Sequence, residues 1–370
     1  MNSLSALHPH ILHYWPDDHT LQTQTGLMWG QLLQYGAPYY QGLPLMYPLH
    51  WTLHDILSAD WPSVTTGLAG RYPRDTVLGL SITDGHGITT KAGGRVMKNV
   101  TGYDVCRLMV GSHHSLATIT EVILKLTTLP KAFYGYWFGC ASATQALTLC
   151  NTLLTHRREA LWACETVSSS TSKGPKKFQV FVLSTEPLPA DGFHTATTEL
   201  LPYEAALQTA AQLSGFGWEV NTAGLSPNPS PETLSGILAV SFGTVAFAAH
   251  RLEECLAESD FSNYQWQCRP AAGLLLFSAS LPHKTSVTQW ETAFNNLLEG
   301  FPELQTTPKQ ASLRITQWPP SLTNAVNALH LPSPNTPEAH YYQSLKHLYD
   351  PNNLLQSPHL PLHLLNVPVA

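Results

Sequence analysis

Apolar positions fall into two textures along the chain. Up to about residue 130 they come in short alternating runs. Residues 11–25 (ILHYWPDDHTLQTQT) predict two extended pieces around a Pro-Asp-Asp turn, and Leu27 to Tyr35 a short helix ending before Gly36. Val77, Leu78, Leu80 and Ile82 form a β-rich run, Asp84-Gly85-His86-Gly87 supplies a turn, and Ile88-Thr89-Thr90 restarts a strand. Together they predict a hairpin. Residues 102–112 read as a short helix leading to Gly111-Ser112, and Ser115 to Leu126 as a β-branched strand that ends before Pro130.

From Phe133 longer strand–helix units take over. YGYWFGC precedes SATQALTLCNTLLTH, GILAVSFG precedes TVAFAAHRLEECLAE, and GLLLFSASL precedes TSVTQWETAFNNLLEGF. These predict an antiparallel sheet covered by helices. Ser168 to Lys177 and Leu225 to Pro231 are expected as surface loops, and YYQSLKHLYDPNNLLQSPHLPL as a helix stopped by an Asp-Pro turn before an irregular tail. The expected class is α+β, with one domain over 1–130 and a second over 131–370.

Composition narrows the partners. Only 12% of the 370 residues are charged, so polar neutral residues or partner subunits must finish the surface. A formal charge of −6 without a Lys/Arg run gives no footprint for nucleic acid or an anionic membrane. The first residues have neither a basic region nor an apolar stretch, and no later run approaches membrane-spanning length. The expected location is therefore the cytoplasm, with any membrane contact only through partners. Six dispersed cysteines read as core thiols rather than as ligands of an iron–sulfur cluster, and 18 histidines make solubility pH-sensitive.

The string Gly93-Gly94-Arg95-Val96-Met97-Lys98-Asn99-Val100-Thr101-Gly102-Tyr103-Asp104 resembles the GGR-V-x-KN-V-x-GYD block of the smaller flavin subunit of bacterial glycolate oxidase. GLAGRYPRDTVLGLSITDGHG before it and LKHLYDPNNLLQSPHL near the end are similar to other signatures of that family. The resemblance implies the two-part FAD-binding fold of the vanillyl-alcohol-oxidase class. A PCMH-type FAD domain would cover 1–130 with a shortened first subdomain, and an FAD-linked-oxidase-type domain would cover 131–370. It implies a catalytic flavin subunit and an iron–sulfur subunit as partners, and glycolate or another 2-hydroxy acid as substrate. The cofactor candidates it nominates are Arg74, Asp75, Lys98, Asn99, Gly102, Tyr103, Asp104, Gly111, Ser112, Ala117, Ile119 and Thr120.

Three departures from the family fall on its glycine-rich loops, where backbone donors must approach a pyrophosphate closely. The family's strand–loop–strand opening has no counterpart in MNSLSALHPHILH, so its pyrophosphate loop is expected to be missing. Its Thr-Leu-Gly-Gly turn under the flavin ring aligns with Thr52-Leu53-His54-Asp55, and its Gly-Ser-x-Gly-Thr-Leu-Gly turn with Gly111-Ser112-His113-His114-Ser115-Leu116-Ala117. FAD is thus expected with a degraded pocket. The His-Gly-Asp-Gly-Asn-x-His and Glu-His-Gly strings of catalytic hydroxyacid dehydrogenases are absent from 131–370, so no catalytic and no metal-ligating residue is assigned.

Plainer readings stand beside these. His8, His10 and His13 fit an untethered end as well as a metal site, and His113-His114 fit a substituted tight turn as well as a relay. Lys98 has Asp104 and Glu121 as structural partners, Gly93-Gly94 fit a hairpin bend, and the ten tryptophans fit packing or interface anchoring.

Overall fold

A computed structural model describes residues 10–70, 72–95, 104–171, 174–188, 196–202, 205–206, 233–259, 263–281, 285–302, 311–322 and 337–355, with 261, 304 and 325 between them. The N-terminal unit is a sheet of five strands: β1 (Ile11–Trp15), β2 (Thr20–Gln24), β4 (Val77–Asp84), β5 (Thr89–Gly93) and β6 (Ala117–Lys125), in the order β1-β2-β6-β4-β5. Every pairing is antiparallel. A two-residue pair, β3 (Gln41–Gly42) with β7 (Thr127–Thr128), lies beside it. Leu21, Leu80, Ile82, Ile119, Val122 and Leu124 turn inward and meet α1 (Trp29–Gly36) and α2 (Leu53–Ala59) through Leu32, Leu53, Ile56 and Leu57. The sheet is curled, because Arg95, just past one edge, lies 4.8 Å over the ring of Trp15 at the other edge.

The alternation in β6 slips once. Ser81 faces Glu121 but Ile82 faces Ile119, which leaves Thr120 as an extra residue, a β-bulge. The predicted hairpin forms as β4–β5, with Asp84 Oδ1 accepting from the amides of His86 and Ile88, each at 2.9 Å. The predicted helix at 102–112 appears among the described residues as α3 (Val105–Met109), capped by Asp104.

The second sheet has eight strands in the order β11-β8-β10-β9-β13-β14-β12-β15. They are β8 (Ala132–Cys140), β9 (Leu161–Thr171), β10 (Gly174–Ser184), β11 (Ala196–Pro202), β12 (Thr233–Val240), β13 (Asn263–Arg269), β14 (Leu274–Ser280) and β15 (Ala311–Gln317). Helices α4 (Ala143–Arg157), α5 (Val245–Glu258) and α6 (Val287–Glu299) cover one face. The other face, through Phe133, Ala163, Val167, Phe181, Leu183, Leu274 and Leu276, joins the core of the N-terminal unit. The mixed helix and antiparallel-sheet class expected from the sequence is what forms.

One expectation is corrected here. Within the stretch Ser168 to Lys177, expected as a surface loop, residues 168–171 belong to β9 and residues 174–177 to its partner β10, and Ser168 is fully buried. Ladders on both sides of β9 satisfy its main chain, so polar side chains do not prevent a strand there. The other expected loop, 225–231, lies outside the described residues.

Helix α7 (Pro337–Tyr349) ends at Asp350-Pro351 as its sequence predicts. It returns the C-terminal segment to the first sheet through a fully buried lysine. Lys346 Nζ donates to the Ser115 carbonyl at 2.7 Å and meets Asp350 Oδ2 at 2.5 Å. Asp350 in turn accepts from the amides of Leu354 and Leu355, both at 2.8 Å. At Gly85, whose amide donates to Tyr349 O at 2.8 Å, an added Cβ would lie 2.1 Å from Asp350 Oδ1, so glycine is required. Replacing Lys346 by Met leaves a buried carboxylate without its counter-charge, and the expected loss is about 3–5 kcal/mol of unfolding free energy. Urea denaturation measures it; a loss below about 1 kcal/mol contradicts the role given to this lysine.

Candidate functional site

Two turns carry the glycine substitutions noted in the sequence, and the fold brings them into contact. The first, 52–55, opens α2. Thr52 and Asp55 form a reciprocal cap: the Asp55 amide donates to Thr52 Oγ1 and the Thr52 amide to Asp55 Oδ2, both at 3.2 Å. The Leu53 amide donates to Leu27 O at 3.0 Å and the His54 amide to Thr25 O at 2.8 Å. The second turn, 111–115, links α3 to β6. Its amides at Gly111, Ser112, His113 and Ser115 donate to Leu57 O, Met109 O, Ser58 O and Ser112 O at 2.8–3.1 Å.

His54 and His114 stack across the junction, ring centroids 3.8 Å apart and planes inclined by 15°. Gly111, His113 and His114 are left-handed, with φ of +85°, +52° and +58°. Glycine adopts that conformation freely; the two histidines hold it at a cost of about 1–2 kcal/mol each. Both ring nitrogens of His114 are buried and neither makes a well-aligned hydrogen bond, although the main chains of His54 and Ala117 approach the ring. Burial, with the neighbouring His54 ring second, pushes the His114 pKa down to about 4, so the ring is neutral near pH 7.

Thr25 ties the two turns to the bulge. Its amide donates to Thr120 O at 3.0 Å, its hydroxyl to Ile119 O at 2.7 Å, and its carbonyl accepts from His54. The main-chain carbonyls of Ile119 and Thr120 therefore face Thr25, and Thr120 Oγ1 donates to Ser81 O at 3.1 Å.

The remaining nominated residues are also held by protein groups. Arg74 pairs with the buried Asp60 through both its amide and its guanidinium. Asp75 accepts from Arg107 Nη2 at 3.0 Å, and Asp104 caps α3 by accepting from the Arg107 amide at 3.0 Å. Ser112 Oγ donates to Met109 O at 2.7 Å, and Ala117 is fully buried. Lys98, Asn99, Gly102 and Tyr103 lie outside the described residues. Gly93, at φ +70°, has Leu78 O 2.3 Å from where a Cβ would sit, which accounts for it as a bend without a ligand.

A dinucleotide needs free main-chain donors at its pyrophosphate and open space at its ring. In these two turns those donors are engaged by the protein and the intervening space holds imidazoles. These two turns do not fit the pyrophosphate and ring of FAD. Among the described residues no group of three or more His, Cys, Asp or Glu side chains is placed to hold a metal ion.

Sequence reading missed a second cluster, on the face of the eight-stranded sheet that meets the N-terminal unit. Glu165 and Arg269, on the paired strands β9 and β13, are both buried and touch at 3.1 Å without hydrogen-bond alignment. Gln267 Nε2 donates to Glu165, and Arg269 Nη1 donates to Pro62 O at 2.9 Å, joining the two units. Burial raises the Glu165 pKa to about 7 even though Arg269 pulls it down. A lone acid inside the apolar run LWACETV was the available signal.

No family model matches the chain. It is similar to glycolate oxidase subunit GlcE of Escherichia coli (strain K12), 49% identical over 75 residues, 19% of this chain and 21% of that protein. It is similar to glycolate oxidase subunit GlcD of Bacillus subtilis (strain 168), 42% identical over 65 residues, 18% of this chain and 14% of that protein. It is also similar to D-2-hydroxyglutarate dehydrogenase of Xanthomonas citri pv. viticola, 31% identical over 119 residues, 30% of this chain and 24% of that protein. The chain thus spans less than a quarter of the length of each of these relatives. The solved structure of FgChi7B covers 95% of this chain and 79% of its own at a TM-score of 0.65 and 11% identity, a likeness of fold alone. Over these short stretches the chain is similar to glycolate oxidase subunits and to FAD-linked oxidoreductases. No helix among the described residues is long and apolar enough to cross a membrane.

The two perturbed groups act in opposite directions with pH. Glu165, with a folded pKa raised from 4.5 to about 7, contributes stability that is present below pH 4.5 and lost as pH rises through about 7. His114, lowered from 6.5 to about 4, contributes stability present above pH 6.5 and lost as pH falls through about 4. Between pH 7.5 and 5 the two nearly offset. Glu165→Gln is expected to lose about 2 kcal/mol relative to the parent on acidification across that span, and His114→Gly to gain a similar amount. Urea denaturation at both pH values measures this; parallel shifts in all three proteins would contradict it.

Proposed function

We propose that the chain is an auxiliary, non-catalytic subunit of a glycolate-oxidase-type complex that oxidises a 2-hydroxy acid, glycolate to glyoxylate, in the cytoplasm or against the inner membrane through its partners. The carrying observation is the Gly93–Asp104 string together with the similarity to glycolate oxidase subunit GlcE. The proposed architecture is a PCMH-type domain over 1–130 and an FAD-linked-oxidase-type domain over 131–370. The partners are a catalytic flavin subunit and an iron–sulfur subunit, since the six cysteines here are dispersed and free.

FAD is the cofactor of the proposed complex. Whether this subunit carries its own copy divides two readings, an FAD-binding auxiliary subunit and a flavin-free structural one. The engaged amides of 52–55 and 111–115 favour the second. Turnover is assigned to the catalytic partner. Removing hydride from a 2-hydroxy acid needs a base beside the hydroxyl, and Glu165, which titrates near neutrality, is buried against Arg269 and Gln267.

Co-expression with the catalytic flavin and iron–sulfur subunits tests this assignment. Glycolate-dependent reduction of an electron acceptor is expected only when all three chains are present, and none from this chain alone. Full activity of the other two subunits in its absence would sink the proposal.

A further inference from the structure

We infer that the stacked imidazoles of His54 and His114 plug the place that a flavin ring would take in this fold, so that the chain has exchanged a bound planar ligand for two of its own side chains. The inference rests on the flavin-fold reading above and deepens it.

Three independent observations converge on the pair. The rings come from turns on different elements, yet they meet face to face at 3.8 Å and 15°, which is the contact a flat conjugated ligand would make with either one alone. The turns that carry them are held: the His54 amide donates to Thr25 O at 2.8 Å, and the amide of His113, the residue before His114, to Ser58 O, also at 2.8 Å. His114 keeps a left-handed backbone that glycine would adopt without strain, so its side chain must return more than that strain by filling the space. The ring fills space more than it bonds, since neither nitrogen makes a well-aligned hydrogen bond, with only the main chains of His54 and Ala117 in reach. An isoalloxazine cannot share the volume of two imidazoles, and rotating them out would not free the amides of either turn.

The test uses the full-length chain with FAD and lumiflavin as probes. The parent protein is expected to release no flavin on denaturation and to leave the fluorescence of added FAD and lumiflavin unchanged. The double variant His54→Gly, His114→Gly is expected to quench lumiflavin with an apparent affinity at least about tenfold above the parent. Added 4-methylimidazole is expected to raise the Tm of the variant and not that of the parent. His114→Asn, which tolerates the left-handed backbone, serves for the same measurements if the double variant does not fold. Stoichiometric flavin in the parent overturns the inference. So does a folded variant that neither takes up lumiflavin nor responds to 4-methylimidazole. The auxiliary-subunit reading stands or falls separately, on the three-chain reconstitution.

Discussion

A main-chain N–H that already donates a well-aligned hydrogen bond inside the protein is lost to a ligand unless the fold opens. That constraint governs the N-terminal unit. The amides of residues 52–55 reach Leu27, Thr25 and the Thr52–Asp55 cap, and those at 111, 112, 113 and 115 reach the end of α2, Met109 and Ser112. Each bond is ordinary in length. Collectively they close the joint between the two turns. Breaking one costs about 0.5–1.5 kcal/mol, so admitting a pyrophosphate across both turns would mean losing several kcal/mol before any contact is gained.

The joint depends on a local irregularity. Without the bulge at Thr120, β6 would run as a regular ladder, and the carbonyls of Ile119 and Thr120 would not both be offered to Thr25. Thr25 follows β2 directly and accepts from His54 at the start of α2, so one residue holds strand, bulge and helix together. From the other side Lys346 grips the Ser115 carbonyl, and Tyr342 donates to Ser115 Oγ. The turn bearing the two histidines is thus fixed from the sheet, from α2 and from the C-terminal helix.

Much of this was legible in local pattern, and the rest was not for a specific reason. The β4–β5 hairpin is announced by Asp-Gly-His-Gly between β-branched runs, and the end of α7 by Asp-Pro, because both signals act over a few residues. The same short range made Ser168 to Lys177 misleading, since a polar run looks like a loop until its two strand neighbours are known. The His54–His114 stack, the Lys346–Ser115 bond and the Glu165–Arg269 pair are contacts between distant segments. A single sequence offers only each half of them: a histidine where glycine was expected, a lysine inside a helix, an acid inside an apolar strand.

A cofactor that binds only the folded state also stabilises it, by about 4 kcal/mol when present at a thousand times its dissociation constant. A fold without such a cofactor must find that stabilisation elsewhere, and internal ties of the required kind are present here. The Lys346–Asp350 pair is wholly buried, the His54–His114 stack fills space, and Arg95 draws the two edges of the first sheet together. Arg269 does the same between the two units by reaching Pro62 O from the far sheet. A frame held this way can keep its surfaces constant whether or not a ligand is bound.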